Sequence, residues 1–83
     1  MIRDNVVERT QAIFRDIFDD NTMVINDSIS PDDIGNWDSL NHINLLAAIQ
    51  KEFAIKFELS DLEFLNNAGA IINAILKKMG SSH

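Results

Sequence analysis

Ile2, Val6, Val7, Ile13, Phe14, Ile17 and Phe18 fall at offsets that line one side of a helix, with Arg3, Glu8, Arg9, Arg15 and Asp16 on the other. This pattern predicts an amphipathic helix over about residues 3–18. The period then fails through "DDNTMVINDSISPDDIGNWD", a long connection for so short a chain, and such loops are usually functional or packed by their own side chains. Met23, Val24, Ile25, Ile29, Ile34 and Trp37 are spaced to anchor it. Within it, "SPDD" predicts a turn or one helical turn, with Ser30 as cap and Pro31 at the first helical position.

Helical spacing resumes at Asp38 or Ser39 and runs to about Phe53. Here Leu40, Ile43, Leu45, Leu46, Ala47, Ile49 and Phe53 form a wide apolar arc, opposite Asn41, Asn44, Lys51 and Glu52, so burial on more than one side is expected. "AIKFEL" alternates like a strand, but a lone strand has no partner, and the segment is read as an extended connector. Ser60 and Glu63 stand in capping-box spacing before a short turn carrying Leu62, Phe64 and Leu65. Asn67 caps a last helix on which Ala68, Ile71, Ile72, Ile75 and Met79 share a face, with Lys77 and Lys78 in its final turn and Gly80 at its end. The expected fold is all-α: a small four-helix bundle of three main helices plus one short helix, with the long loop between the first and second. Residues 1–80 form one domain and 81–83 a tail without assigned function.

Composition narrows the function. The chain has 83 residues and no cysteine, so no disulfide can reinforce a core that buries only about 60–65% of the unfolded surface. A net charge of −6 argues against nucleic acid, whose phosphates are bound by Lys and Arg clusters, and for partners with basic surfaces. No apolar run approaches the ~20 residues of a membrane span, and "MIRDNVVERT" lacks a signal-peptide core, so the expectation is a cytoplasmic monomer.

The chemistry concentrates at "NWDSLNHINLL", where Ser39 stands at the junction of polar loop and apolar helix. Four roles are open to it. Ser39 can cap the helix. It can act as a nucleophile with His42 three residues on, although a hydrolase also needs an orienting group, an oxyanion hole and a pocket. The nearby Asp19, Asp20, Asp27, Asp32 and Asp33 can bind a metal, although their spacing lacks the alternation and closing Glu of a calcium loop. Lastly, Ser39 can be a covalent attachment point, since a phosphodiester on it would sit beside the free N–H groups and positive dipole of a helix start.

"DSL" opening an apolar helix, preceded by "DDIGNW" and followed by "NHINLLAAIQKEFAIKF", resembles the acyl carrier protein family over nearly the whole chain. The resemblance implies a non-enzyme that holds acyl groups as thioesters on a 4′-phosphopantetheine joined to Ser39. It matches Asp38 to the aspartate before the attachment serine and Leu40 to the leucine after it. Leu40, Asn41, Ile43, Asn44 and Ala47 then lie on the partner-facing side, where a phosphopantetheinyl transferase and acyl-loading and acyl-transfer enzymes with basic docking surfaces would bind. Family members from fatty acid synthesis usually carry acids where Asn41 and Asn44 stand, and a small residue where Trp37 stands. Those departures favour a discrete carrier for a specialised biosynthetic pathway, such as a polyketide pathway, over housekeeping fatty acid synthesis. The competing class is an acidic helical interaction module in which Ser39 is a cap and nothing more.

Overall fold

In a computed structural model, which describes residues 2–62 and 64–80, the chain forms α1 (Ile2–Ile17), α2 (Ser39–Phe53), α3 (Leu59–Leu62) and α4 (Ala68–Gly80). No strand occurs among the described residues, and the connector expected over 54–59 is shorter, 55–58, because Ala54 caps α2 and Leu59 opens α3. Helix α1 packs against both α2 and α4. Its buried stripe is Val6, Thr10, Phe14 and, just beyond the helix, Phe18, which meet Leu45, Leu46, Ile49 and Phe53 of α2 and Ala68, Ile71, Ile72 and Ile75 of α4.

The helix ends follow from local chemistry. Asp19 after α1 and Ala54 after α2 both take the left-handed conformation (φ 51° and 53°), and the next residue bonds back five places, Asp20 N–H to Arg15 and Ile55 N–H to Gln50. Asn67 caps α4 as expected, accepting the Ala70 N–H at 2.7 Å. The α3 cap differs from the expectation. Asp61, rather than Glu63, reaches back, to the Glu58 N–H at 2.9 Å, which moves the start two residues ahead of Ser60; Glu63 itself lies outside the described residues. Lys78 closes on Asp61 at 3.0 Å and joins α4 to α3.

The long loop is fastened along its length. Ile25 and Trp37 are buried, while Met23, Ile29 and Ile34 pack partly against the core. Val24, expected among these anchors, is instead exposed. Asp20 and Asn26 each fold a short turn by accepting the N–H and hydroxyl of the residue two positions on. Residues 30–33 form a turn in which Asp33, not Ser30, supplies the capping oxygen, to the Ser30 N–H. At the far side the loop backbone docks on the start of α4, where the Ala68 N–H donates to Ile29 O (2.8 Å) and the Gly69 N–H to Asp27 O (3.2 Å). Arg3 adds an ion pair to Asp27 and a bond to Asn73.

Two apolar expectations need correction. Ile2 lies beyond the end of the core and is exposed. The wide arc of α2 is split: Leu45, Leu46, Ile49 and Phe53 are buried, whereas Leu40 and Ile43 keep 68% and 64% of their surface and Ala47 is also exposed. α1 and the loop cover one flank of that arc, and nothing among the described residues covers the other.

Candidate functional site

The start of α2 is set by Trp37. Its indole is inserted edge-on against Phe14 (centroids 5.4 Å, 87°) and beside Phe18 (5.8 Å), which fixes the chain immediately before the helix. Asp38 is thereby held extended, and its carboxylate accepts the Asn41 N–H at 2.9 Å while its carbonyl accepts the His42 N–H. The cap is therefore Asp38, contrary to the capping role open to Ser39 from sequence. Ser39 is the first helical residue and is exposed, and its hydroxyl has no hydrogen-bond partner among the described residues. The N–H groups of Ser39 and Leu40 also lack acceptors there, leaving two donors and the positive helix end beside that hydroxyl.

His42 lies one turn further along. The Trp37 indole N–H donates to its Nδ1 at 2.9 Å, and the two rings stack with centroids 6.0 Å apart. An indole nitrogen only donates, so Nδ1 must offer its lone pair and the proton of the neutral imidazole is on Nε2. Burial holds the His42 pKa below its ordinary 6.5, in agreement with this neutral form. With Nδ1 committed to Trp37, no carboxylate among the described residues orients the ring as a hydrolase base requires.

Trp37, Asp38, Ser39 and His42 form one wall of an open cleft of about 390 Å³, and Leu62 and Leu65 stand in the lining with them. Beyond the cleft, Leu40, Ile43, Asn44 and Ala47 are exposed on α2, and Leu59 and Phe64 are exposed around α3. Asn41 behaves differently from its neighbours: half-buried, it donates its side-chain amide to Asn36 O at 2.7 Å and ties the loop to the helix. The far lining of the cleft escaped sequence reasoning. The signal present was an apolar cluster, Leu59, Leu62 and Phe64, too dense for a four-residue helix to bury. Among the described residues no three acidic or histidine side chains gather as a metal site would require, and Asp20, Asp27 and Asp33 are engaged in turns and an ion pair.

Residues 8–75 match the family model described as "Phosphopantetheine attachment site". The solution NMR structure of the holo acyl carrier protein from Geobacter metallireducens is similar to this chain with a TM-score of 0.86 and 34% sequence identity, over 94% of this chain and 93% of that one. No curated protein matches the chain.

Proposed function

The chain belongs to the family of phosphopantetheine-bearing acyl carrier proteins, and from that premise we propose that Ser39 carries the arm and that this carrier serves a specialised biosynthetic pathway. Carriers of this family are not enzymes, and they hold 4′-phosphopantetheine covalently. The observation that carries the assignment to Ser39 is its exposed hydroxyl at the head of α2, which has no hydrogen-bond partner among the described residues while Asp38 takes the capping role.

The residues fit the group. The unfilled N–H groups of Ser39 and Leu40 suit a phosphodiester. The adjoining 390 Å³ cleft falls within the ~300–1,000 Å³ typical of small-molecule sites. When bound, the arm supplies the thiol on which acyl thioesters are carried, a group this cysteine-free chain lacks.

Leu40, Ile43, Asn44 and Ala47 are read as the face met by partner enzymes, with Asn41 holding its edge to the loop. Helix α2 has no acid in its first turn, whereas Asp32, Asp33 and Asp38 lie in the preceding loop. A partner matching this pattern has an apolar centre and a basic rim on one side. That arrangement supports a specialised pathway over fatty acid synthesis, and partners drawn from a phosphopantetheinyl transferase and acyl-loading and acyl-transfer enzymes. The carrier is taken to act as a cytoplasmic monomer; no helix among the described residues is long and apolar enough to cross a membrane. Incubation with coenzyme A and a broad-specificity transferase should add one phosphopantetheine to the parent and none to Ser39→Ala. Equal labelling of the two would refute the assignment.

A further inference from the structure

We propose that His42 is a positioning residue for the arm: fixed by Trp37, it presents Nε2–H to the cleft as a hydrogen-bond donor for an acceptor oxygen of the phosphopantetheine chain. The inference rests on the reading that Ser39 carries the arm, and adds to it a second point of attachment made by this chain's own side chains.

Three observations lead to it. Ser39 and His42 are three residues apart on α2, one above the other on the same side of the helix, and both line the same cleft. A helical side chain leans toward the N-terminus, so the imidazole lies over the turn that begins at Ser39. The Trp37 indole N–H occupies Nδ1 at 2.9 Å, and a donor there leaves the neutral ring a single tautomer, with the proton on Nε2. Finally, Nε2 has no hydrogen-bond partner among the described residues and is not among their buried, unpartnered polar atoms. It is a donor of fixed orientation, not fully buried, on a residue that lines the cleft beside Ser39. Trp37 is itself immobilised between Phe14 and Phe18, so the ring that orients His42 belongs to the rigid core.

A purely structural His42 would serve only to accept the buried indole N–H. The two roles separate in His42→Asn, because an Asn side-chain oxygen can stand where Nδ1 stands and accept from Trp37 while leaving nothing at the Nε2 position. The experiment uses ¹⁵N-labelled protein in the apo form and in the holo form made with coenzyme A and a transferase, with intact mass and fragmentation reporting the arm and its site. In the parent, imidazole ¹⁵N shifts should show a bare Nδ1 and a protonated Nε2 in both forms. Addition of the arm should slow exchange of the Nε2 proton with water about 3- to 10-fold, the weight of one net hydrogen bond. It should also give cross-peaks between the imidazole protons and the methyl groups of the arm. His42→Asn should accept the arm, keep the Trp37 indole N–H shift, and lose the ordering of the arm, its methyl resonances collapsing toward those of free pantetheine. If His42→Asn does not fold, Trp37→Phe gives the second reading: without the indole donor the imidazole should populate both tautomers and the cross-peaks should weaken. An arm on Ser39 with imidazole exchange unchanged and no cross-peaks overturns this inference alone, as does an arm equally ordered in His42→Asn. A chain that takes no arm at Ser39 overturns the underlying assignment and this inference with it.

Discussion

Gly69→Ala is expected to loosen the loop that delivers Ser39. A Cβ at residue 69 would lie 2.7 Å from the carbonyl oxygen of Asp27, 3.0 Å from its Cβ and 3.1 Å from its Cα. The obstruction is mostly backbone, so no side-chain rotation relieves it, and the loop must move away from α4. Two hydrogen bonds hold that junction, Gly69 N–H to Asp27 O at 3.2 Å and Ala68 N–H to Ile29 O at 2.8 Å. At about 0.5–1.5 kcal/mol net each, their loss costs roughly 1–3 kcal/mol. The better helix propensity of Ala returns up to about 1 kcal/mol, less so in a first turn. The balance is a destabilisation of roughly 1–2 kcal/mol, or a fall in Tm of about 5–15 °C for a domain of this size. Thermal unfolding by circular dichroism measures the fall, and hydrogen exchange of the Ala68 and Gly69 amides localises it. A Gly69→Ala protein that melts at or above the parent, with those amides still protected, would refute the reasoning, because helix propensity would then outweigh loop docking.

Thr10→Val should raise stability by about 1 kcal/mol in a denaturant melt, since it replaces a fully buried hydroxyl that has no hydrogen-bond partner among the described residues with a methyl of the same shape; a destabilised variant would mean that the hydroxyl is satisfied. His42, its pKa lowered by burial, resists in the folded state a proton that the unfolded chain accepts, so stability should be full above about pH 6.5 and decline as pH falls through that value toward the lower folded pKa. Melts at pH 7.5 and 5.5 check this, with equal stabilities contradicting it and His42→Asn expected to flatten the difference. Asp20, held low chiefly by the Thr22 hydroxyl, and Asp61, held low chiefly by the Glu58 amide, contribute stability above their ordinary 3.8 that should fade only as pH falls below it, a separate and more acid transition. On the partner face, Asn44→Glu should improve turnover by a fatty-acid synthase enzyme at low salt by a factor of about 1.4–5, one exposed ion pair at roughly 0.2–1 kcal/mol, with the gain shrinking as ionic strength rises. A gain indifferent to salt would remove the physical basis for a specialised partner.

Much of this arrangement is legible in the sequence because it is periodic. The stripe of Val6 and Phe14, the face of Ile71, Ile72 and Ile75, and the Asn67 cap follow from spacing and from chemistry confined to a few residues. The division of labour between Asp38 and Ser39 does not, because either residue can cap a helix. The choice is made by Trp37, whose insertion beside Phe14 and Phe18 is a contact between residues far apart in the chain. The same limit hides the split of the α2 arc, since periodicity shows that Leu40 and Ile43 are apolar but not whether another element reaches them. It also hides Gly69, whose need for a missing side chain exists only where Asp27 arrives. Asn41 is a related case. Its position suggests a surface residue replacing an acid, yet its amide donates to Asn36 O, so Asn41→Asp would set a carboxylate against a carbonyl and is no simple restoration of charge.

The central claim, an acyl carrier whose arm is on Ser39, is tested most directly by the intact mass of the protein purified from its native host, with fragmentation to locate any added group. One phosphopantetheine on Ser39 is expected, alone or bearing an acyl thioester released by hydroxylamine. A native protein wholly without the group, or carrying it on another residue, would contradict it.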